Sequence, residues 1–274
     1  MYPDCLLPIA PDYTMIEAAV VECAYAGCDT IWIVCNDDIS PVVRHKIGDF
    51  IQDPVYLFNG YGAAPSTTLR RIPIYWVPIH PKDRDRRDCL SWSVIHGALS
   101  SFKVASSLSA WLIPDKYYVS FPHGLFDPKP LQKLRTKIKT QNNFYVSSDN
   151  NTVQNDYYTS FTFGKDEFIK YRRNIRKGTG MWSSEDLDSR GIPTKTLPIE
   201  ERWSAKHFKL SDVFKELDIP TSLVYEAPDF YNLADWNSYR NYLASEFCET
   251  VSRPPKEMFY YREFNYIGEK QQDI

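Results

Sequence analysis

The stretch MIEAAVVECAYAGCDTIWIVCN, residues 15–36, decides the fold class. Its first half spaces Ile16, Ala19, Val20, Cys23 and Ala24 three and four residues apart, which puts them on one face of a helix over 15–26. Gly27 is a natural stop for that helix. Its second half, TIWIVC at 30–35, is a run of β-branched and aromatic residues without polar alternation, the pattern of a strand covered on both faces. Downstream, Ser40 is placed to cap a helix with Pro41 at its first position, and Val43, Ile47, Phe50 and Ile51 supply the apolar face. IPIYWVP (72–78) predicts a second strand, Ile95, Ala98, Leu99 and Phe102 another helix, and YYVSF (117–121) a third strand. Helices alternating with buried strands imply crossover connections, hence an α/β domain with a doubly wound, mainly parallel sheet. The second half is less regular. Strand-like runs at 143–147, 157–163 and 221–225, with helices near 166–176, 211–217 and 235–247, predict a mixed sheet edge there.

Composition narrows the function classes. With 274 residues, 43% of them hydrophobic, the chain can bury one sizeable core. A formal charge of −3 argues against a nucleic-acid partner held by the overall field. Two basic stretches, Lys129–Lys139 and Lys165–Lys177, could grip phosphates if adjacent, but each also reads as the solvated face of a helix. Six cysteines without a C-x-x-C pair suit a reducing compartment. No run approaches 18 apolar residues, and Tyr-Pro-Asp after Met1 is not a secretory leader, so the expectation is a cytoplasmic protein without a membrane partner. Nineteen tyrosines suit a broad contact surface, hence a protein partner or a homo-oligomer.

One family resemblance spans residues 3–243. Pro3-Asp4-Cys5-Leu6-Leu7-Pro8-Ile9-Ala10, then Met15-Ile16-Glu17 and AYAGCDTIWIVCN, resemble the opening of the sugar-1-phosphate nucleotidyltransferases. YYVSFPHGLFDP (117–128), FTFGKDEF (161–168), FKLSDVFKEL (208–217) and DFYNLADWNSYRNYL (229–243) resemble later segments of the same family. The resemblance implies a nucleotide-diphospho-sugar transferase-like fold of GT-A type over 1–252, with 253–274 as a C-terminal extension. It also implies attack of a sugar 1-phosphate on a nucleoside triphosphate, assisted by Mg²⁺.

The residues depart from that chemistry. The Gly-rich phosphate-cradling loop would lie upstream of Pro3. The family lysine corresponds to Asp4, and the two metal-binding aspartates correspond to His123 and Asn232. Mg²⁺ prefers anionic oxygen ligands, so these replacements predict no Mg²⁺ site and no catalytic residues. His123 and Asp127 are the candidates for a softer metal, although Asp127 before Pro128 also reads as a turn former. The nucleobase loop expected at 83–92 reads DRDRRDCLSW and lacks glycine.

Three functions follow. The first is a catalytically degenerate nucleotidyltransferase-like binding or assembly module, with a nucleotide or sugar nucleotide as a possible ligand. The second is an active nucleotidyltransferase whose loop is missing from this chain. The third is a glycosyltransferase using Asp83-Arg84-Asp85 as its acidic motif. His96, His45 and His207 carry no assigned role. The resemblance further implies a strand between TIWIVC and YYVSF that is not seen ahead of Pro3. Its place should be taken by residues 1–10, by direct pairing of the two strands, or by another segment such as the aromatic run 258–267.

Overall fold

The computed structural model describes residues 3–58, 70–79, 81, 89–140, 142–178, 183, 185–192, 194–196, 198, 208–217 and 223–259. Helix α1 (Met15–Ala26) opens on a capping box in which the Glu17 carboxylate accepts from the Thr14 backbone N–H (2.9 Å) and hydroxyl (2.8 Å). Gly27 closes it at φ +84°, a left-handed conformation that costs glycine little. Arg135, on helix α5 (Leu131–Lys139), lies against that end and donates to the carbonyls of Ala24 (2.6 Å) and Tyr25 (2.9 Å). The same guanidinium forms a two-pronged pair with the buried Asp53 carboxylate at 2.7 and 3.0 Å.

The first sheet joins β3 (Ile31–Asn36) in parallel to β5 (Arg71–Ile79), and β5 pairs antiparallel with β4 (Phe50–Gln52). Phe50 and Ile51 therefore do not extend the preceding helix, as their spacing suggests. Helix α2 (Ser40–Ile47) stops at Gly48, whose φ of +86° turns the chain into β4. Ile39 holds the cap position, which puts Ser40 inside the helix. Helix α3 (Pro54–Phe58) follows β4. Helix α4 (Leu90–Leu108) packs closely on β3 at Gly97, where an added methyl would meet Val34 Cγ2 at 2.7 Å.

The second sheet has the order β10 (Val224–Glu226), β8 (Tyr145–Ser147), β9 (Phe161–Gly164), β6 (Lys116–Val119). Only β10 and β8 run parallel in it. Two short antiparallel ladders complete the described pairing: β1 (Pro8–Ala10) with β2 (Tyr13–Thr14), and β7 (Gly124–Leu125) with β11 (Tyr231–Asn232). The fold is thus α/β with mixed sheets, and parallel pairing among the described strands is confined to β3/β5 and β10/β8.

Strand residues alternate between two apolar layers. Val146 faces a cluster with α1, α5 and helix α8 (Trp236–Leu243). Tyr145 faces a second cluster with α4, α6 (Lys165–Gly178) and α7 (Leu210–Phe214). A short α9 (Glu246–Thr250) follows α8, and Met258 and Phe259 return to bury themselves beside β4, with Phe259 bridging Ile51. No described helix is long and apolar enough to cross a membrane.

β3 and β6 are the outer strands of their sheets, and both line one cavity of about 750 Å³. Its other walls come from α1, α4, the end of α5 and residues 112–115, with Asp29, Asp115 and Lys139 among the lining residues. Two of the expected ways of closing this slot are not what the chain does. Pro3–Ala10 forms a 3-10 turn and then β1, pinned by the Tyr239 and Tyr242 hydroxyls, which donate to the carbonyls of Pro8 and Ile9 at 2.6 Å each. β3 and β6 do not pair with each other. Of the aromatic run 258–267, residues 260–267 lie outside the described residues.

Candidate functional site

The β7/β11 ladder assembles the positions singled out by resemblance. Gly124 sits opposite Asn232, and the Leu233 N–H donates to the His123 carbonyl at 2.7 Å. Gly124 has to be glycine here, because a methyl would lie 2.1 Å from the Tyr158 carbonyl oxygen. The close approach brings the His123 ring to 5.3 Å from that of Tyr158. Asp4 approaches the same place from the N-terminal turn and opposes, through its charge, a lowering of the His123 pKa that burial imposes. His123 and Asn232 are therefore neighbours across the ladder, with Asp4 in electrostatic reach of His123, although the three are more than a hundred residues apart in sequence.

The donors at the ladder itself are an imidazole and an amide. Burial favours a neutral imidazole at His123, and Asn232 offers an amide. His123 Nδ1 and Asn232 Oδ1 are both buried without a hydrogen-bond partner among the described residues. Asp4 supplies one carboxylate. Asp127 is exposed and folded into a local turn, its Oδ1 accepting from the Lys129 N–H at 3.2 Å. No group of three or more His, Cys, Asp or Glu positioned for a metal ion occurs among the described residues.

The other singled-out residues are dispersed. His96 stacks on Trp92 at 4.5 Å within α4. His45 lies in α2, whereas His207, Asp83-Arg84-Asp85 and most of the 83–92 loop lie outside the described residues. Of the first basic stretch, Arg135 is committed to Asp53, and Lys133, Lys137 and Lys139 are exposed. In the second, Lys170 pairs with Glu216 at 3.1 Å. All six cysteines are free thiols.

Sequence reasoning missed Glu22. It is fully buried on α1, and its carboxyl accepts from the hydroxyls of Tyr118 (2.6 Å), Ser120 (2.7 Å) and Ser160. Burial pushes its pKa up to about 7 against the opposing effect of those three hydrogen bonds. The signal was a charge in the middle of an otherwise apolar helix. Glu17 is explained by its cap, whereas Glu22 had no local explanation. Chemically the cluster can hold one proton near neutrality, but it ties α1 to the second sheet rather than opening to a ligand.

No protein-family model matches the chain, and no curated protein matches it either.

Proposed function

We propose that this chain is a catalytically degenerate, nucleotidyltransferase-like domain of GT-A type that works as a binding or assembly module in a reducing, cytoplasmic setting. The observation that carries the reading is the meeting of a half-buried His123, whose burial favours the neutral imidazole, with Asn232 at one ladder, and of Asp4 within electrostatic reach of His123. That set puts one carboxylate, one imidazole and one amide where phosphate and Mg²⁺ chemistry calls for a lysine and two carboxylates. Mg²⁺ needs hard anionic oxygens in an octahedral shell, so these residues do not fit it, and no catalytic step is routed through a metal. Asp4 would repel a phosphate rather than neutralise it. A fold can outlive its chemistry when its surface is put to use.

Isothermal titration of the chain with nucleoside triphosphates and sugar nucleotides in Mg²⁺ tests this. No binding tighter than millimolar is expected. A micromolar, Mg²⁺-dependent Kd would overturn the reading in favour of an active nucleotidyltransferase.

A further inference from the structure

Helix α1 ends in a complete Schellman closure. The Gly27 N–H donates to the Ala24 carbonyl at 3.1 Å and the Cys28 N–H to the Cys23 carbonyl at 3.2 Å, with Gly27 at φ +84°. This closure brings the side chain that follows the glycine back onto one in the last turn of the helix, a place ordinarily filled by an apolar contact. Here both positions are cysteine. The two thiols are within hydrogen-bonding reach, and that of Cys28 is the largest influence holding Cys23 protonated, ahead of burial. Of the six cysteines, Cys23 and Cys28 also line the cavity beside β3, and each keeps part of its surface exposed. Cys5 and Cys35 are a looser pair: Cys5 feels Cys35 through charge, and the Cys35 sulfur accepts from the Ser40 hydroxyl.

We propose that Cys23 and Cys28 form a redox-active dithiol, which a low-molecular-weight disulfide oxidises to an intrachain disulfide across the end of α1. The step balances as two exchanges. Cys28 loses its proton to water, and its thiolate attacks one sulfur of the reagent. A protein–reagent S–S bond forms, the reagent's own S–S bond breaks, and one reagent thiolate leaves and is protonated. Cys23 then gives up its proton and attacks the Cys28 sulfur, expelling the second reagent thiolate, which takes a proton in turn. Two protein thiols are oxidised and one reagent disulfide is reduced to two thiols. The order follows from position. Cys23 is held protonated inside the last turn, whereas Cys28 stands outside the helix next to the exposed Asp29 and Thr30. The Asp29 carboxylate is paired with Arg70 and lies 3.8 Å from Lys139, which offsets its repulsion of an anionic reagent. In a reducing setting the pair rests as the dithiol. The inference goes beyond the assembly-module reading and does not draw on it.

The test treats the folded, full 274-residue chain with excess glutathione disulfide, blocks remaining thiols with N-ethylmaleimide, then unfolds and digests the chain without reduction. Chymotrypsin cuts after Tyr13, Tyr25 and Trp32, which puts Cys23 and Cys28 on separate fragments with one cysteine each. Mass spectrometry is expected to find those two fragments joined, released by dithiothreitol, and at least tenfold more abundant than either fragment carrying glutathione. Cys23→Ser should stop at a glutathione adduct on Cys28. Cys28→Ser should slow oxidation of Cys23 at least tenfold. Should a serine variant fail to fold, the map of the unaltered chain decides by itself. Fragments that stay blocked and unjoined overturn the proposal. So does a lasting glutathione adduct on either, or a bond from either cysteine to another cysteine or another chain. Oxidation of Cys23 at an unchanged rate in Cys28→Ser also overturns it. Triphosphate titration reads none of these bonds, so this inference and the proposed function fail separately.

Discussion

Gly124 and Glu22 are the two residues on which the arrangement turns most sharply. At Gly124 the obstacle to a side chain is backbone, the Tyr158 carbonyl, which cannot rotate away. Gly124→Ala should therefore separate β7 from its neighbours and lose more than about 3 kcal/mol of stability, measured by urea unfolding. Gly97→Ala meets only a methyl of Val34, a side chain beside the slot that can swing aside, so a loss of about 1–2 kcal/mol is expected. Glu22 gives a pH signature. Its folded pKa, near 7, lies above the 4.5 of an unperturbed glutamate, so the unfolded chain releases the proton first as pH rises. Stability from this group is complete below pH 4.5 and declines until about pH 7, by on the order of 3 kcal/mol. Glu22→Gln should flatten that decline in denaturation curves taken across the window. Unchanged pH dependence in the variant would show that the carboxyl is ionised in the folded state. None of this was readable beforehand, because the partners of Glu22 come from positions 118, 120 and 160 and the obstacle at Gly124 from position 158.

At the scale of elements, what the sequence encodes locally was legible and what depends on partners was not. Helix α1, β3 and β5 were readable from period and composition, and Gly27 marked a real boundary. Phe50 and Ile51 deceived because their spacing continues the helical period across Gly48, and only pairing with β5 makes them a strand. The adjacency of His123 and Asn232, with Asp4 in reach, had no trace in periodicity and was suggested by resemblance alone. The C-terminal segment is an element in the same partner-dependent sense. Met258 and Phe259 are buried at 0% and 4% exposure beside Ile51, about two hundred residues away in sequence. Removing everything after Arg253 discards both side chains, each expected to be worth about 2–4 kcal/mol. The melting temperature should fall by about 10 °C or more. Differential scanning fluorimetry showing no fall would mean that β4 is stable without this cover.

For the whole molecule, the two principal sheets share helical layers, and among the described residues no hydrogen-bonded ladder joins them. Their connection runs through side chains: the Glu22 hydroxyl cluster under α1, and α4 lying on β3 by Gly97 while its Trp92, Ile95 and Ala98 pack with the second sheet's core. A continuous sheet transmits cooperativity through its backbone, whereas a seam crossed only by packing transmits less. Melting should accordingly depart from all-or-none behaviour, with a calorimetric enthalpy larger than the van't Hoff enthalpy. Glu22→Gln, which weakens the cluster, should widen that difference. A ratio of one in the isolated chain would show that the helices alone weld the halves together. The cavity between β3 and β6 lies along this seam. Where packing alone holds two halves, the seam is where the fold opens first, so a protease should find its earliest cuts beside these two strands rather than inside either sheet.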